Sequence, residues 1–351
     1  MADDILFSVR GQVGRVVLNR PQAFNALDDP MTVAFHDRLM AWAGDAAVKA
    51  VVVTSSGERA FCAGGDIRQL WDARGRGAAA VAGYFWNEYR LDWAIHHFPK
   101  PYVTLVDGIT LGGGTGVAVN GRHCVVTERA SLAMPETGIG FFPDVGATHF
   151  LARAPGRLGL YLGLTGARVA LGDAVHARLA TAYVPKERLA ALEAALAAAD
   201  YGDDPARVAD AVIAAHAADP GPAPLADRQG VIDATFGAPT MDGVLGRLRA
   251  LGDDWAKETL ATLAAKSPTS LKVVFRQLAA GAPADYESAA RMEYRMACRF
   301  AAGHEFYEGI RAAVVDKDRN PRWDPPRLDG VTPADVDSYF APPPGGDLRL
   351  D

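Results

Sequence analysis

At 351 residues the chain has room for one large domain or two ordinary ones. Hydrophobic residues make up 49% and charged residues 22%, close to the average for soluble globular chains, so a core can form without disulfide or metal staples. A formal charge of -6, with no cluster of Lys and Arg, argues against a nucleic-acid partner, because neutralising phosphates requires clustered positive charge. Cys62, Cys124 and Cys298 stand apart, with no CxxC pair and no short spacing to histidine. Metal binding and a disulfide framework are therefore not expected, and reduced thiols in a cytoplasmic protein fit best. Met1-Ala2-Asp3-Asp4 is acidic and runs straight into a strand-like segment, unlike a signal peptide. No apolar run is long enough to span a bilayer, so no membrane partner is expected.

Along the chain, short β-branched runs predict strands at Ile5–Val9, Val13–Leu18, Ala50–Thr54, Tyr102–Val106 and Cys124–Thr127. Between them, Met31–Trp42 and Ala78–Phe98 have the spacing of amphipathic helices. This rhythm predicts an α/β fold over 1–185. From 186 to about 320 the pattern turns mostly helical. An Ala-rich stretch, Glu187–Ala218, is broken at Asp200–Pro205, a Pro/Gly linker follows at Pro220–Pro224, and helices then run from Met241 to Val315. The last stretch, 321–351, is rich in Pro and Asp and is expected to be an irregular tail.

Two glycine turns follow strands: Ala63-Gly64-Gly65-Asp66 after the strand at 50–54, and Gly112-Gly113-Gly114 after the strand at 102–106. Glycine permits positive φ and close approach, and a helix start presents amides without intrahelical partners. Two such amides aimed at one point would stabilise the oxyanion of a thioester addition, or an enolate. An ordinary tight turn accounts for either one alone equally well. Competing motifs are absent. There is no Gly-Lys-Ser/Thr phosphate loop and no GxSxG elbow, and 112–117 lacks the last small residue of a dinucleotide fingerprint. His304-Glu305 has no second histidine at zinc spacing, so that pair reads as helix surface.

Carboxylates also fall where apolar residues belong. Positions 81, 84, 88, 91, 95 and 98 share a helix face, and Glu88 interrupts it; a glutamate snorkelling at the stripe's edge is the alternative. The turn-rich apolar segment from Met134 to Gly146 holds Glu136 and Asp144. An acid in apolar surroundings has a raised pKa, which suits acid–base work near neutrality, although a structural salt bridge would explain either residue.

These residues together resemble the crotonase superfamily. Ala63-Gly64-Gly65-Asp66-Ile67 with Gly112-Gly113-Gly114 is similar to its paired oxyanion turns, and Asn19-Arg20-Pro21, Asn25-Ala26-Leu27 and Lys100-Pro101 also fit. The segments 61–68 and 134–146, Ser267–Lys272, Gly303-His304, Glu308–Ala312 and Asp316-Lys317-Asp318 resemble one branch, the 3-hydroxyisobutyryl-CoA hydrolases. The resemblance implies a crotonase-like spiral of ββα turns with a helical C-terminal region. It also implies hydrolysis of a short-chain hydroxyacyl-CoA in valine breakdown, with acyl-CoA as substrate, no metal or redox cofactor, and a homo-oligomer left open. Residue by residue, Gly65 and Gly113 would supply oxyanion amides and Glu136 the catalytic carboxylate, as nucleophile or as base. Asp144 would tune Glu136 or bind the acyl hydroxyl, and Glu88 would contact substrate. Enoyl-CoA hydratases carry a glutamate two residues after the glycine triplet, where this chain has Gly116, so a two-glutamate hydration is not expected. A hydratase- or isomerase-type reaction on another acyl-CoA is the nearest alternative, and a non-catalytic acyl-CoA binding protein a more distant one.

Overall fold

The computed structural model describes residues 4–279 and 285–350; Met1–Asp3 of the acidic N-terminus and positions 280–284, inside the expected helical run, lie outside it. Among the described residues nine strands form: β1 (Ile5–Arg10), β2 (Val13–Leu18), β3 (Ala50–Ser55), β4 (Ala60–Cys62), β5 (Tyr102–Val106), β6 (Ile109–Leu111), β7 (His123–Val126), β8 (Ser131–Ala133) and β9 (Ala182–Tyr183). Six of them make a sheet in the order β1-β2-β3-β5-β7-β9, and the other three make a small sheet in the order β4-β6-β8.

The two sheets explain each other. β3, β5 and β7 enter the large sheet, and the next short strand of each pair, β4, β6 or β8, enters the small one. A helix or 3-10 turn follows each pair: Ile67–Ala73, Gly113–Val119 and Glu136–Ile139. The chain thus winds through three ββα turns. β1 and β2 pair antiparallel, whereas β2 with β3, β3 with β5 and β5 with β7 pair in parallel.

Parallel strands in such a sheet are covered on both faces and so read as near-continuous apolar runs. β3 is Ala-Val-Val-Val-Thr-Ser and buried almost throughout. Alternate residues point the same way, and Val13, Ala50, Val52, Val103, Leu105 and Val125 form one core face. Leu192, Leu196, Ala209 and Ile213 pack on it from the helices Lys186–Ala198 and Pro205–His216. Burying each of the Val, Leu and Ile side chains among them contributes about 1.5–3 kcal/mol as an upper estimate.

Contacts group the chain into two compact units that interleave along the sequence. The first comprises 1–65, 90–132 and 169–224, and contains the sheet core just described. The second comprises 66–89, 133–168 and 225–351. Its centre is aromatic: Phe85 stacks on Phe141 at 5.3 Å, Phe142 on Phe300 at 5.6 Å, and Phe306 lies 4.7 Å from Phe141.

Every described helix and strand element past residue 186 is helical. The tail differs from its expected irregularity, because Pro333–Phe340 is a helix. Thr332 and Asp335 close it with a reciprocal capping box, and Pro333 sits at its first position. No described helix is long and apolar enough to cross a membrane.

Candidate active site

The first unit brings the two glycine turns together. β4 and β6 lie side by side in parallel, with Cys62 opposite Thr110, so their following turns leave from adjacent strand ends. At Gly64, where φ is 103°, a Cβ would stand 2.8 Å from the Leu111 carbonyl oxygen and 3.5 Å from the Gly113 nitrogen. At Gly114 a Cβ would meet the Cys62 carbonyl oxygen at 2.3 Å. No side chain fits between the turns, and glycine is what lets the backbones touch.

Their amides are differently freed. Gly113 is the first residue of the helix Gly113–Val119, so its N–H has no intrahelical acceptor. Gly112 before it has φ 50° and ψ -123° and offers no side-chain cap. Gly65 bridges Leu27 in parallel, and the bond of that bridge runs from the Leu27 N–H to the Gly64 carbonyl at 2.9 Å. In this pattern the N–H of Gly65 itself faces away from residue 27. The structure therefore places Gly65 and Gly113, as the sequence singled them out, on two touching turns.

The second unit gathers the carboxylates. Glu88 is 5% exposed, Glu136 6%, Asp144 5% and Glu293 1%. The snorkelling alternative for Glu88 is thereby overturned, since it is packed inside, with the Tyr84 hydroxyl donating to Oε1 at 3.5 Å. Glu136 opens the 3-10 turn Glu136–Ile139 after Pro135. That turn is fastened at Thr137, whose hydroxyl donates to the Leu164 carbonyl at 3.1 Å and whose own carbonyl accepts from the Ser267 N–H at 3.1 Å. Glu136 Oε2 is buried without a hydrogen-bond partner. Asp144 accepts from the Tyr89 hydroxyl at 2.8 Å.

Burial dominates the electrostatics. It pushes Glu88 and Glu136 up to about 8 each, with Tyr84 partly opposing at Glu88 and the Glu88 charge adding at Glu136. Lys266 pulls Glu136 weakly the other way. Asp144 is raised by burial first, then by Glu88 and Glu136, while Tyr89 holds it down. Three acids that feel one another in a dry setting cannot all ionise near neutrality, and they titrate as a group. An acid with a pKa near 8 can exchange a proton with substrate at physiological pH.

Sequence reasoning missed Tyr89, Glu293 and Gln277. Glu293 carried the signal used for Glu88. It interrupts the buried stripe Ala289, Ala290, Met296, Ala297 and Phe300 of the helix Tyr286–Ala301. The reading of 304–305 as helix surface needs correction at Glu305, which is buried. It accepts from the Ser267 hydroxyl, and from the Asp324 N–H at 2.7 Å. His304 is exposed and contacts the Arg322 carbonyl oxygen.

The family model for enoyl-CoA hydratase/isomerase matches residues 13–340. This chain belongs to the enoyl-CoA hydratase/isomerase family. Two solved structures of similar chains each have a TM-score of 0.91. One is a carnitinyl-CoA dehydratase from Mycobacterium thermoresistibile, 39% identical over 99% of both chains. The other is an enoyl-CoA hydratase from Rhodobacter sphaeroides 2.4.1, 40% identical over 99% of this chain and 100% of that one. The fold is therefore the crotonase fold, α/β with a helical C-terminal region, as the family resemblance implied. A curated relative, the mitochondrial 3-hydroxyisobutyryl-CoA hydrolase of Xenopus tropicalis, is 41% identical over 99% of this chain and 91% of its own length. Its name gives a mitochondrial location, so the expected cytoplasmic setting finds no support there.

Proposed function

We propose that this chain hydrolyses a short-chain hydroxyacyl-CoA thioester, 3-hydroxyisobutyryl-CoA foremost, to the free hydroxy acid and coenzyme A, a step in valine breakdown. The observation that carries this reading is Glu136: a carboxylate buried with a free oxygen atom in a chain whose curated relative is a hydrolase of that thioester. The amides of Gly65 and Gly113 take up the charge that forms on the thioester oxygen. Glu136 then either attacks the carbonyl carbon, giving an anhydride that water opens, or takes a proton from the attacking water. In both routes the C–S bond breaks and the thiolate is protonated; the water oxygen enters the acid directly or, where water opens the anhydride at the glutamyl carbonyl, enters Glu136 and reaches the acid in later turnovers. Coenzyme A is part of the substrate. The reaction changes no oxidation state and calls for no redox or metal cofactor. Among the described residues Cys62, Cys124 and Cys298 form no disulfide, in keeping with a reducing compartment.

A second reading is addition or loss of water across a carbon–carbon double bond, favoured by the names of the two similar solved structures. Against it stands Gly116, buried in the helix Gly113–Val119, where the hydratase glutamate would be. It has no side chain to carry a proton. A panel of 3-hydroxyisobutyryl-, 3-hydroxypropionyl-, isobutyryl- and crotonyl-CoA separates the readings. Hydrolysis releases thiol from the hydroxyacyl members, whereas hydration changes enoyl absorbance and releases none. The latter outcome would sink the hydrolase reading.

Glu88 should act on substrate choice. The substitution Glu88→Gln is expected to raise KM or lower turnover for 3-hydroxyisobutyryl-CoA by up to about tenfold, the upper end of what one neutral hydrogen bond contributes, and to affect isobutyryl-CoA less. Equal losses on both substrates would mean that Glu88 does not read the hydroxyl.

A further inference from the structure

Asp144 sits in a loop that its own sequence does not favour. Val145 has φ 53° and Gly146 has φ 88°. A β-branched residue at positive φ is an outlier that persists only when its surroundings impose it. Two side chains from the C-terminal helices do so here. Glu293, of the helix Tyr286–Ala301, accepts the Gly146 N–H at 2.8 Å and the Thr148 N–H at 2.7 Å. Gln277, of the helix Pro268–Ala279, donates to the Pro143 carbonyl at 2.7 Å and to the Thr148 hydroxyl at 2.8 Å. The backbone is thus pinned on both sides of Asp144, and Tyr89 meets the carboxylate itself.

A lone buried carboxylate is costly unless it is satisfied, and each oxygen of Glu293 is satisfied by a separate loop amide. We propose that Glu293, with Gln277 beside it, is a positioning residue for Asp144, and that the helical C-terminal region fixes the carboxylate by clamping the strained loop that carries it. The inference rests on Asp144 acting on substrate. The groups that face Asp144 are Glu88 and Tyr89 on the helix Ala78–His96, Glu136 on its turn, and Glu293 itself; each acid raises it. Lys266 acts on Glu136.

The test is a double-mutant cycle in the full chain, read in two ways. Glu293→Gln keeps the shape but puts an NH2 group against one of the two amides, and removes the charge. On whichever acyl-CoA the wild type converts, Glu293→Gln is expected to lower kcat/KM by about tenfold or more, yet to add less than about twofold in an Asp144→Asn background, because coupled residues are not additive. The substrate-free protein, labelled with 13C at aspartate carboxyl carbons, gives the second reading. The Asp144 signal, assigned by its loss in Asp144→Asn, should titrate at lower pH in Glu293→Gln, since a neighbouring negative charge has gone. Additive losses, or an unmoved Asp144 titration, would overturn the proposal. If Glu293→Gln does not fold, Gln277→Met takes its place in the kinetic cycle with the same two outcomes. Should the wild type convert no acyl-CoA, the functional reading fails by itself, and the positioning role is then decided by Gln277→Met, which removes the clamp on the Pro143 carbonyl but no charge: a moved Asp144 titration supports it and an unmoved one overturns it.

Discussion

Glu136→Gln is expected to slow thiol release by at least 10²-fold, roughly the lower end of what a general acid–base group contributes, while leaving acyl-CoA bound and the fold more stable. The two halves have one cause. The glutamate is held in a dry site where its charged form is disfavoured, and its pKa stands near 8 instead of 4.5. As base or nucleophile it must be ionised, so kcat/KM should rise with pH through about 8. Stability runs the opposite way. Below about 4.5 the group is protonated folded or unfolded; between about 4.5 and 8 only the unfolded chain releases the proton, so the folded state loses ground as pH rises. That loss is on the order of a few kcal/mol for a shift of this size. Glutamine cannot ionise and escapes it. Melting temperatures of the two proteins should therefore lie close at pH 5 and separate in favour of Glu136→Gln at pH 8.5. A variant keeping more than about a tenth of wild-type turnover would transfer the catalytic role to Asp144, because that loss falls well short of the expected range.

Gly113→Pro should cost turnover about 10²–10³-fold, equivalent to about 2.7–4 kcal/mol of lost oxyanion stabilisation. Proline removes the N–H and adds its ring at a nitrogen 3.5 Å from the Cβ position of Gly64, so the comparison with alanine separates the lost donor from the added bulk. At the first helical position that N–H bonds to no residue of the helix, and the fixed φ of proline suits the site. Gly112 ahead of it, at φ 50° and ψ -123°, lies outside the α region that a following proline disfavours. Far-UV circular dichroism should be unchanged. Gly113→Ala, which keeps the N–H, should retain much more activity. Equal turnover in the two variants would remove this amide from the oxyanion site.

Much of this was legible in the sequence because long periodic signals survive without an alignment. β2, β3 and β5 were expected at their observed positions, give or take a residue, since runs such as Ala50–Thr54 admit little else. β4, β6 and β8 were not found. At three residues each they are too short for any periodicity, and yet they set the two glycine turns side by side. Glu88 and Glu136 stood out as acids in apolar company. Glu293 carries the same signal, an acid among Ala289, Ala290, Met296 and Ala297, on a helix that also bears Glu287, Arg291, Arg295 and Arg299. The clamp on the Asp144 loop could not be read, because Glu293 lies 147 residues from Gly146 along the chain and only folding brings them together. The helix Pro333–Phe340 was readable in principle. Thr332 and Asp335 are a capping box, but Pro and Asp also make irregular chain, and composition was the louder cue.

Cleavage of the C–S bond of a hydroxyacyl-CoA is what separates hydrolysis from hydration. It is tested most directly by following 3-hydroxyisobutyryl-CoA consumption in 18O-labelled water with thiol and free acid measured together. Hydrolysis predicts one thiol and one 3-hydroxyisobutyrate for each thioester consumed, with solvent oxygen in the carboxylate. Consumption of the thioester with no thiol, and with the α,β-unsaturated thioester as product, would contradict it.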